Sequence, residues 1–237
     1  MKLRRLRDRF QLAKLSLFGD RNLARALTYP IAASELERFQ PIEHEREVMG
    51  SLSKGSKPAH DARFLYRMVR ALKPRTVLEL GTNVGISSSY IALALPPGGR
   101  VITLEGRDLQ LNTARELHER LRLSDRVIYS LGRFDDTLPQ VLRDHQPIDM
   151  AFIDGDHHKE PTLAYTEMIA RFASPGAVFV YDDIRWTPEM TETWNILQAD
   201  SRFSVVVDLK VIGITRLAAG GSRRYVTPRL SSVLKAG

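Results

Sequence analysis

The chain has 237 residues, 43% of them hydrophobic, with a formal net charge of +7 and no cysteine. That size suits one large α/β core, the missing cysteines exclude disulfides, thiolate metal sites and a cysteine nucleophile, and no run of about 18 apolar residues reads as a membrane span. The basic N-terminus lacks a continuous apolar segment and a small-residue cleavage site, so a cytoplasmic location is the default expectation.

The charge sits at the ends. Residues 1–30 carry eight basic groups against Asp8 and Asp20, and residues 209–237 carry six with no acid, which leaves −5 on the middle. An acidic body argues against a nucleic-acid-binding surface, so no nucleic-acid partner is expected. Leu3, Leu6, Phe10, Leu12, Leu15 and Leu17 interleave with the first bases. That pattern suits a helix on a membrane surface or against a partner, but a helix packed on its own domain with its arginines in water is preferred.

After this extension, the Ser- and Gly-containing stretch Ser51–Lys57 reads as a movable loop. A helix is predicted over Ala59–Leu72, with Phe64, Leu65, Met68, Val69 and Leu72 on one face and Lys73-Pro74 as its stop. Val77, Leu78 and Leu80 lie in a strand over 76–80 that need not alternate with polar residues, because helices cover a parallel strand on both faces. Gly81 and Gly85 let the backbone turn sharply and approach a ligand. Ser87 and Ser88 open a helix over 87–95, whose free N–H groups attract an anion. The next strand, 100–104, ends in Glu105, where a nucleotide-binding sheet places an acid for ribose hydroxyls.

Helices at 108–121, 136–145, 160–173 and 188–199 alternate with strands at 126–130, 149–153 and 177–181; strands at 204–208 and 211–216 close as an antiparallel hairpin. Pro96–Gly99 and Ser174–Gly176 punctuate the pattern. The expected class is α/β: a Rossmann-like, doubly wound, mostly parallel seven-stranded sheet with a C-terminal antiparallel hairpin and an N-terminal helical extension. Expected divisions are a basic helical extension at 1–50, a cofactor-binding domain at 51–217 and a basic tail at 218–237.

Two strands end in acids, one at Asp154 and the other at Asp182 and Asp183. Three carboxylates brought together repel unless protons or a cation intervene, and all-oxygen ligation suits Mg²⁺, Mn²⁺ or Ca²⁺. The plainer alternative makes them caps of turns and helices. Two acid-bearing strand ends in one sheet, beside a ligand-binding turn, favour a site.

The glycine turn lacks the middle glycine of a dinucleotide fold, since Asn83 stands there, and the chain has no G-x-x-x-x-G-K-[ST] loop. Val-Leu-Glu-Leu-Gly-Thr-Asn-Val-Gly-Ile-Ser, followed by Val-Ile-Thr-Leu-Glu105, resembles the class I S-adenosylmethionine-dependent methyltransferases. Within them it is most similar to the small O-methyltransferases of the catechol and caffeoyl-CoA type. The resemblance implies S-adenosyl-L-methionine as cofactor, with Gly81, Thr82 and Gly85 at the turn beside its methionine part and Ser87 near its carboxylate. It further implies Glu105 on the ribose, Gly132, Arg133 and Phe134 along the adenine, and Asp154 at the strand end. For a divalent cation, Mg²⁺ or alternatively Mn²⁺ or Ca²⁺, it implies the ligands Asp154, Asp182 and Asp183.

That family commonly has a lysine three residues beyond the first Asp; this chain has His157 there and Lys159 two further on. Histidine titrates near neutral pH and suits proton removal, while holding the adenine or capping a helix are its other readings. The implied reaction is methylation of a hydroxyl on a small acceptor, catechol-like or a sugar or natural product, assisted by the cation. The alternatives are a metal-independent enzyme using Asp154 and His157, and a non-catalytic cofactor-binding or membrane-associated protein of the same fold. A homo-oligomer is compatible with all of these. Trp186 is the candidate for an acceptor pocket, Trp194 for the core, and His60, His118 and His145 for structural or surface roles.

Overall fold

The computed structural model describes residues 11–16, 20–53, 59–220 and 224–227. The readings on residues 1–10 and 17, on 54–57 of the Ser/Gly loop, and on most of the 218–237 tail lie outside the described residues.

Helices α1 (Arg21–Thr28), α2 (Ala33–Glu37) and α3 (Gln40–Met49) precede α4 (Ala59–Leu72). The α1 helix begins at Asp20, whose Oδ1 accepts from the Leu23 N–H at 2.9 Å. Leu23, Ala24, Ala26 and Leu27 turn inward while Arg21 and Arg25 stay exposed, so this part of the basic segment packs on its own domain. Asp20 also pairs with Arg216 near the other end of the chain.

From there the chain alternates: β1 (Thr76–Leu80), α5 (Ile86–Ala94), β2 (Arg100–Glu105), α6 (Asp108–Arg120), β3 (Val127–Leu131), α7 (Phe134–His145), β4 (Ile148–Ile153), α8 (Lys159–Arg171), β5 (Ala173–Tyr181), α9 (Pro188–Ala199), β6 (Phe203–Asp208), β7 (Gly213–Leu217) and β8 (Tyr225–Val226). They form one eight-stranded sheet in the order β3-β2-β1-β4-β5-β7-β6-β8. The first five strands are parallel, and β7 runs antiparallel to both β5 and β6.

Side-chain alternation divides the core. Val77, Val101, Met150, Phe152, Val178 and Val180 pack with residues of α1, α3, α4 and α5 on one face. Leu78, Leu80, Ile102, Leu104, Ala151, Ile153 and Phe179 pack with α7, α8 and α9 on the other. Burial on both faces explains why the strands read as unbroken apolar runs.

Most boundaries shift by one or two residues, and three differences go further. An eighth strand, the two-residue β8, joins β6 within what read as a tail, and two residues carry no period to detect. The β5 strand begins at Ala173, because Ile148 pairs with Ala173 before a register shift in which Gly176 has φ +78°. The β6–β7 turn is longer than two residues: Leu209 N–H donates to Ile212 O at 2.9 Å and Lys210 adopts φ +81°. No helix among the described residues is long and apolar enough to cross a membrane.

Candidate active site

Backbone hydrogen bonds continue past the carboxyl ends of the strands and stitch the loops into one row. Gly132 N–H donates to Glu105 O (2.9 Å), Gly81 and Thr82 N–H to Leu104 O (3.0 and 3.1 Å), Asp154 N–H to Leu80 O (3.0 Å) and Asp182 N–H to Ile153 O (3.0 Å). Glu105, Gly81, Asp154 and Asp182 therefore follow one another along the sheet edge, where open α/β sheets take ligands. In the same loops Asn83, Asp156 and Asp183 adopt φ of +47°, +51° and +50°. Asn and Asp tolerate this left-handed region better than most residues, and such conformations gather at functional sites.

On the β1–β2 side, Gly81 has φ +99°, and a Cβ there would stand 2.3 Å from Asp154 O. Only glycine lets this turn pass under the Asp154 loop. Glu105 Oε2 accepts from Asn83 N–H at 2.8 Å, and its Oε1 from the N–H and Nε of Arg107, both at 3.1 Å. The acid thus braces the turn; Oε1 is filled by its two Arg107 donors, and Oε2 keeps a second lone pair for a ribose hydroxyl. Gly85 precedes α5 with no side-chain cap, so the first-turn N–H groups offer an anion site that fits a methionine carboxylate. Thr82 Oγ1 lies 2.5 Å from Thr103 Oγ1, which donates to Glu79 Oε2 at 2.6 Å.

Phe134 packs its ring against Gly155, where a Cβ would meet Phe134 Cε2 at 2.6 Å, and it meets Tyr165 edge-on at 5.7 Å. Gly132, with φ +142°, brings the backbone against Thr137. The side chain of Arg133 is 77% exposed and pairs with Asp135 at 3.2 Å.

On the β4–β5 side, His157 Nε2 lies 3.7 Å from Asp154 Oδ1, and the His157 ring meets Trp186 edge to face, centroids 5.1 Å apart at 87°. Trp186 is 67% exposed, whereas Trp194 is buried against Gly213, as an apolar core residue should be. Asp182 is buried, and Asp183 accepts the Trp186 N–H at its carbonyl at 2.9 Å. Among the described residues, no group of three or more acidic or histidine side chains is arranged to hold a metal ion. Asp154, Asp182 and Asp183 share a sheet edge but do not make the ligand set the sequence suggested. Asp154 faces His157, Asp182 is buried, and Asp183 sits in a left-handed turn.

Glu79 went unnoticed as a site residue because it reads as one polar interruption of a strand. It is fully buried, its Oε1 has no hydrogen bond within the protein, and its pKa is pushed up to about 7. Burial is the main cause, the Asp154 charge adds to it, and the hydroxyls of Ser87, Thr103 and Ser88 pull the other way. A second unnoticed group is Tyr165, which lies 3.0 Å from Asp135 Oδ1 and 3.3 Å from Asp156 Oδ2, tying the loop after β4 to α7. His118 is structural: buried between Gly85 O (3.1 Å), Ser88 Oγ (3.2 Å) and Tyr129 OH (2.9 Å), with its pKa lowered by burial to about 4.

A Rossmann-like sheet closed by an antiparallel β5-β7-β6 ending, with a glycine turn after β1 and acids at the ends of β2 and β4, is a methyltransferase-like fold. Residues 78–184 match the family model described as a methyltransferase domain. Catechol O-methyltransferase of Mycobacterium tuberculosis is 38% identical over 126 residues, 53% of this chain and 56% of that protein. Catechol O-methyltransferase of Niastella koreensis is 34% identical over 140 residues, 56% of this chain and 62% of that one. Among solved structures, an O-methyltransferase from Bacillus cereus in complex with SAH superimposes with a TM-score of 0.65 at 25% identity, covering 77% of this chain and 91% of that one. Over residues 78–184 the chain is thus similar to a methyltransferase domain, and more widely to the small O-methyltransferases; it spans less than two thirds of the length of the two curated relatives.

Proposed function

We propose that the chain methylates a hydroxyl oxygen of a small acceptor, catechol-like or a sugar or other natural product, using S-adenosylmethionine. The observation that carries this reading is the His157–Asp154 pair, 3.7 Å apart at a strand end, directly beside the Gly81 turn. S-adenosylmethionine, when bound, supplies an electrophilic methyl group. Within the chain, the N-terminus of α5 and Ser87 hold the carboxylate, Glu105 the ribose, and Gly132 and Phe134 the adenine. His157 takes the proton of the attacking hydroxyl, and the adjacent Asp154 carboxylate stabilises the imidazolium formed. Trp186 forms a wall beside the proton acceptor. The working unit is residues 51–217, with α1–α3 as a buttress.

A divalent cation belongs to the family pattern, and Asp154, Asp182 and Asp183 are hard oxygen donors suited to Mg²⁺. As arranged they do not form a ligand set among the described residues. Methyl transfer to catechol, measured with labelled S-adenosylmethionine in EDTA and again with millimolar Mg²⁺, tests both points. Transfer that persists in EDTA and is lost in His157→Ala supports the reading. Transfer abolished by EDTA and restored by Mg²⁺, with a melting temperature raised by Mg²⁺, replaces it with the cation-assisted one.

A further inference from the structure

Trp186 poses a problem: an indole two-thirds exposed has no pocket of its own to hold it, yet it stands edge to face with His157. The residue before it supplies the hold. Arg185 Nη1 donates to Asp208 Oδ1 at 3.1 Å and to Lys210 O at 3.0 Å, and Arg185 Nη2 bonds Asp208 Oδ2, making a two-pronged pair at the β6–β7 turn. Asp208 is 5% exposed and fixed from three further directions. Trp194 Nε1 donates to its Oδ2 at 3.3 Å, Lys210 N–H to its Oδ1 at 2.9 Å, and its own N–H is bonded to Thr227 Oγ1 at 3.3 Å. One residue earlier, Ile184 is buried and its N–H donates to Val211 O at 3.0 Å.

We infer that Arg185 and Asp208 are positioning residues that clamp the loop after β5 to the β6–β7 turn and thereby hold Trp186 against His157, setting how the acceptor is seated. Arg185 is drawn to the hairpin side while its neighbour Trp186 reaches the His157 side, so fixing the first fixes the second. A bidentate guanidinium–carboxylate pair suits this task because it defines an orientation as well as a distance. The cofactor side is braced separately, by Glu105 on the Gly81–Asn83 turn, so the clamp should act on acceptor seating alone. The inference rests on the reading of His157 as the proton acceptor.

The test compares wild type, Arg185→Gln, Arg185→Lys and Asp208→Asn. With catechol as the acceptor probe, Arg185→Gln should raise its KM roughly tenfold, the scale of one lost charge-assisted hydrogen bond. The dissociation constant for S-adenosylhomocysteine should stay within about twofold, because the binding turn is untouched. Arg185→Lys, which keeps the charge but not the fork, should fall between. Acrylamide quenching of Trp186, obtained by subtracting the signal of Trp186→Phe, should increase in Arg185→Gln. Unchanged quenching and KM would overturn the clamp. So would a parallel loss of acceptor KM, cofactor affinity and melting temperature, which would make the pair merely structural. Should wild type fail to methylate catechol, that failure counts against the proposed reaction, and the quenching comparison alone decides the clamp.

Discussion

The two halves of the sheet edge are built differently. Around β1 and β2, the turn is fixed by contacts to main-chain atoms: Gly81 has no room for a Cβ, and the Glu105 carboxylate takes the N–H groups of Asn83 and Arg107. Around β4 and β5, the loops pass through left-handed Asp156 and Asp183 and are held by side-chain pairs such as Tyr165 with Asp135 and Arg185 with Asp208. A half held by contacts to main-chain atoms allows few substitutions, while a half held by pairs between side chains can be reshaped without disturbing its neighbour. That division suits a constant cofactor on one side and a variable acceptor on the other.

The comparison can be broken most forcefully at Gly81. Gly81→Ala forces a Cβ to 2.3 Å from Asp154 O at φ +99°, so both halves should suffer. A loss of at least about 3 kcal/mol of stability, or of all measurable S-adenosylhomocysteine binding, is expected in melting and calorimetric titration. His157→Ala should strike only the acceptor half. A fall in kcat of about 10²–10⁴-fold is expected, and cofactor affinity measured by titration should be unchanged.

The third expectation concerns pH. Glu79 is raised to about 7 in the fold, above its ordinary value of 4.5, so the folded state keeps a proton that the unfolded chain has lost between those values. The contribution of this group to stability should therefore be fully present below about pH 4.5 and decline as pH rises toward 7, in total on the order of 3 kcal/mol. Glu79→Gln, which carries no such proton, should flatten this part of the melting-temperature profile between pH 5 and pH 7.5. An identical slope in wild type and variant would show that Glu79 ionises normally.

The β1–β2 half of the edge was largely legible in the sequence because its requirements are local. A strand, two glycines, a helix start and an acid at the next strand end are fixed by backbone geometry, and the structure puts Gly81, Glu105 and Gly132 in one row. The β4–β5 half was legible only in composition. Asp154, Asp182 and Asp183 signalled strand ends correctly, but whether their carboxylates converge depends on loop conformations such as the left-handed turn at Asp183 and on three-dimensional placement, which no residue pattern announces. Arg185 and Asp208 are 23 positions apart in sequence and look like ordinary solvated charges. Glu79 was hidden for the opposite reason, since a doubly covered parallel strand has no alternation for a buried acid to break.

The smallest of the expected effects tests the central claim most directly, that the Gly81 turn and Glu105 together bind S-adenosylmethionine. Calorimetric titration of S-adenosylhomocysteine into wild type should give saturable one-to-one binding. Glu105→Ala should weaken it by about 1.5–3 kcal/mol, the worth of hydrogen bonds to a charged group, with the fold retained. Absence of binding by wild type, or equal affinity in wild type and Glu105→Ala, would contradict the assignment.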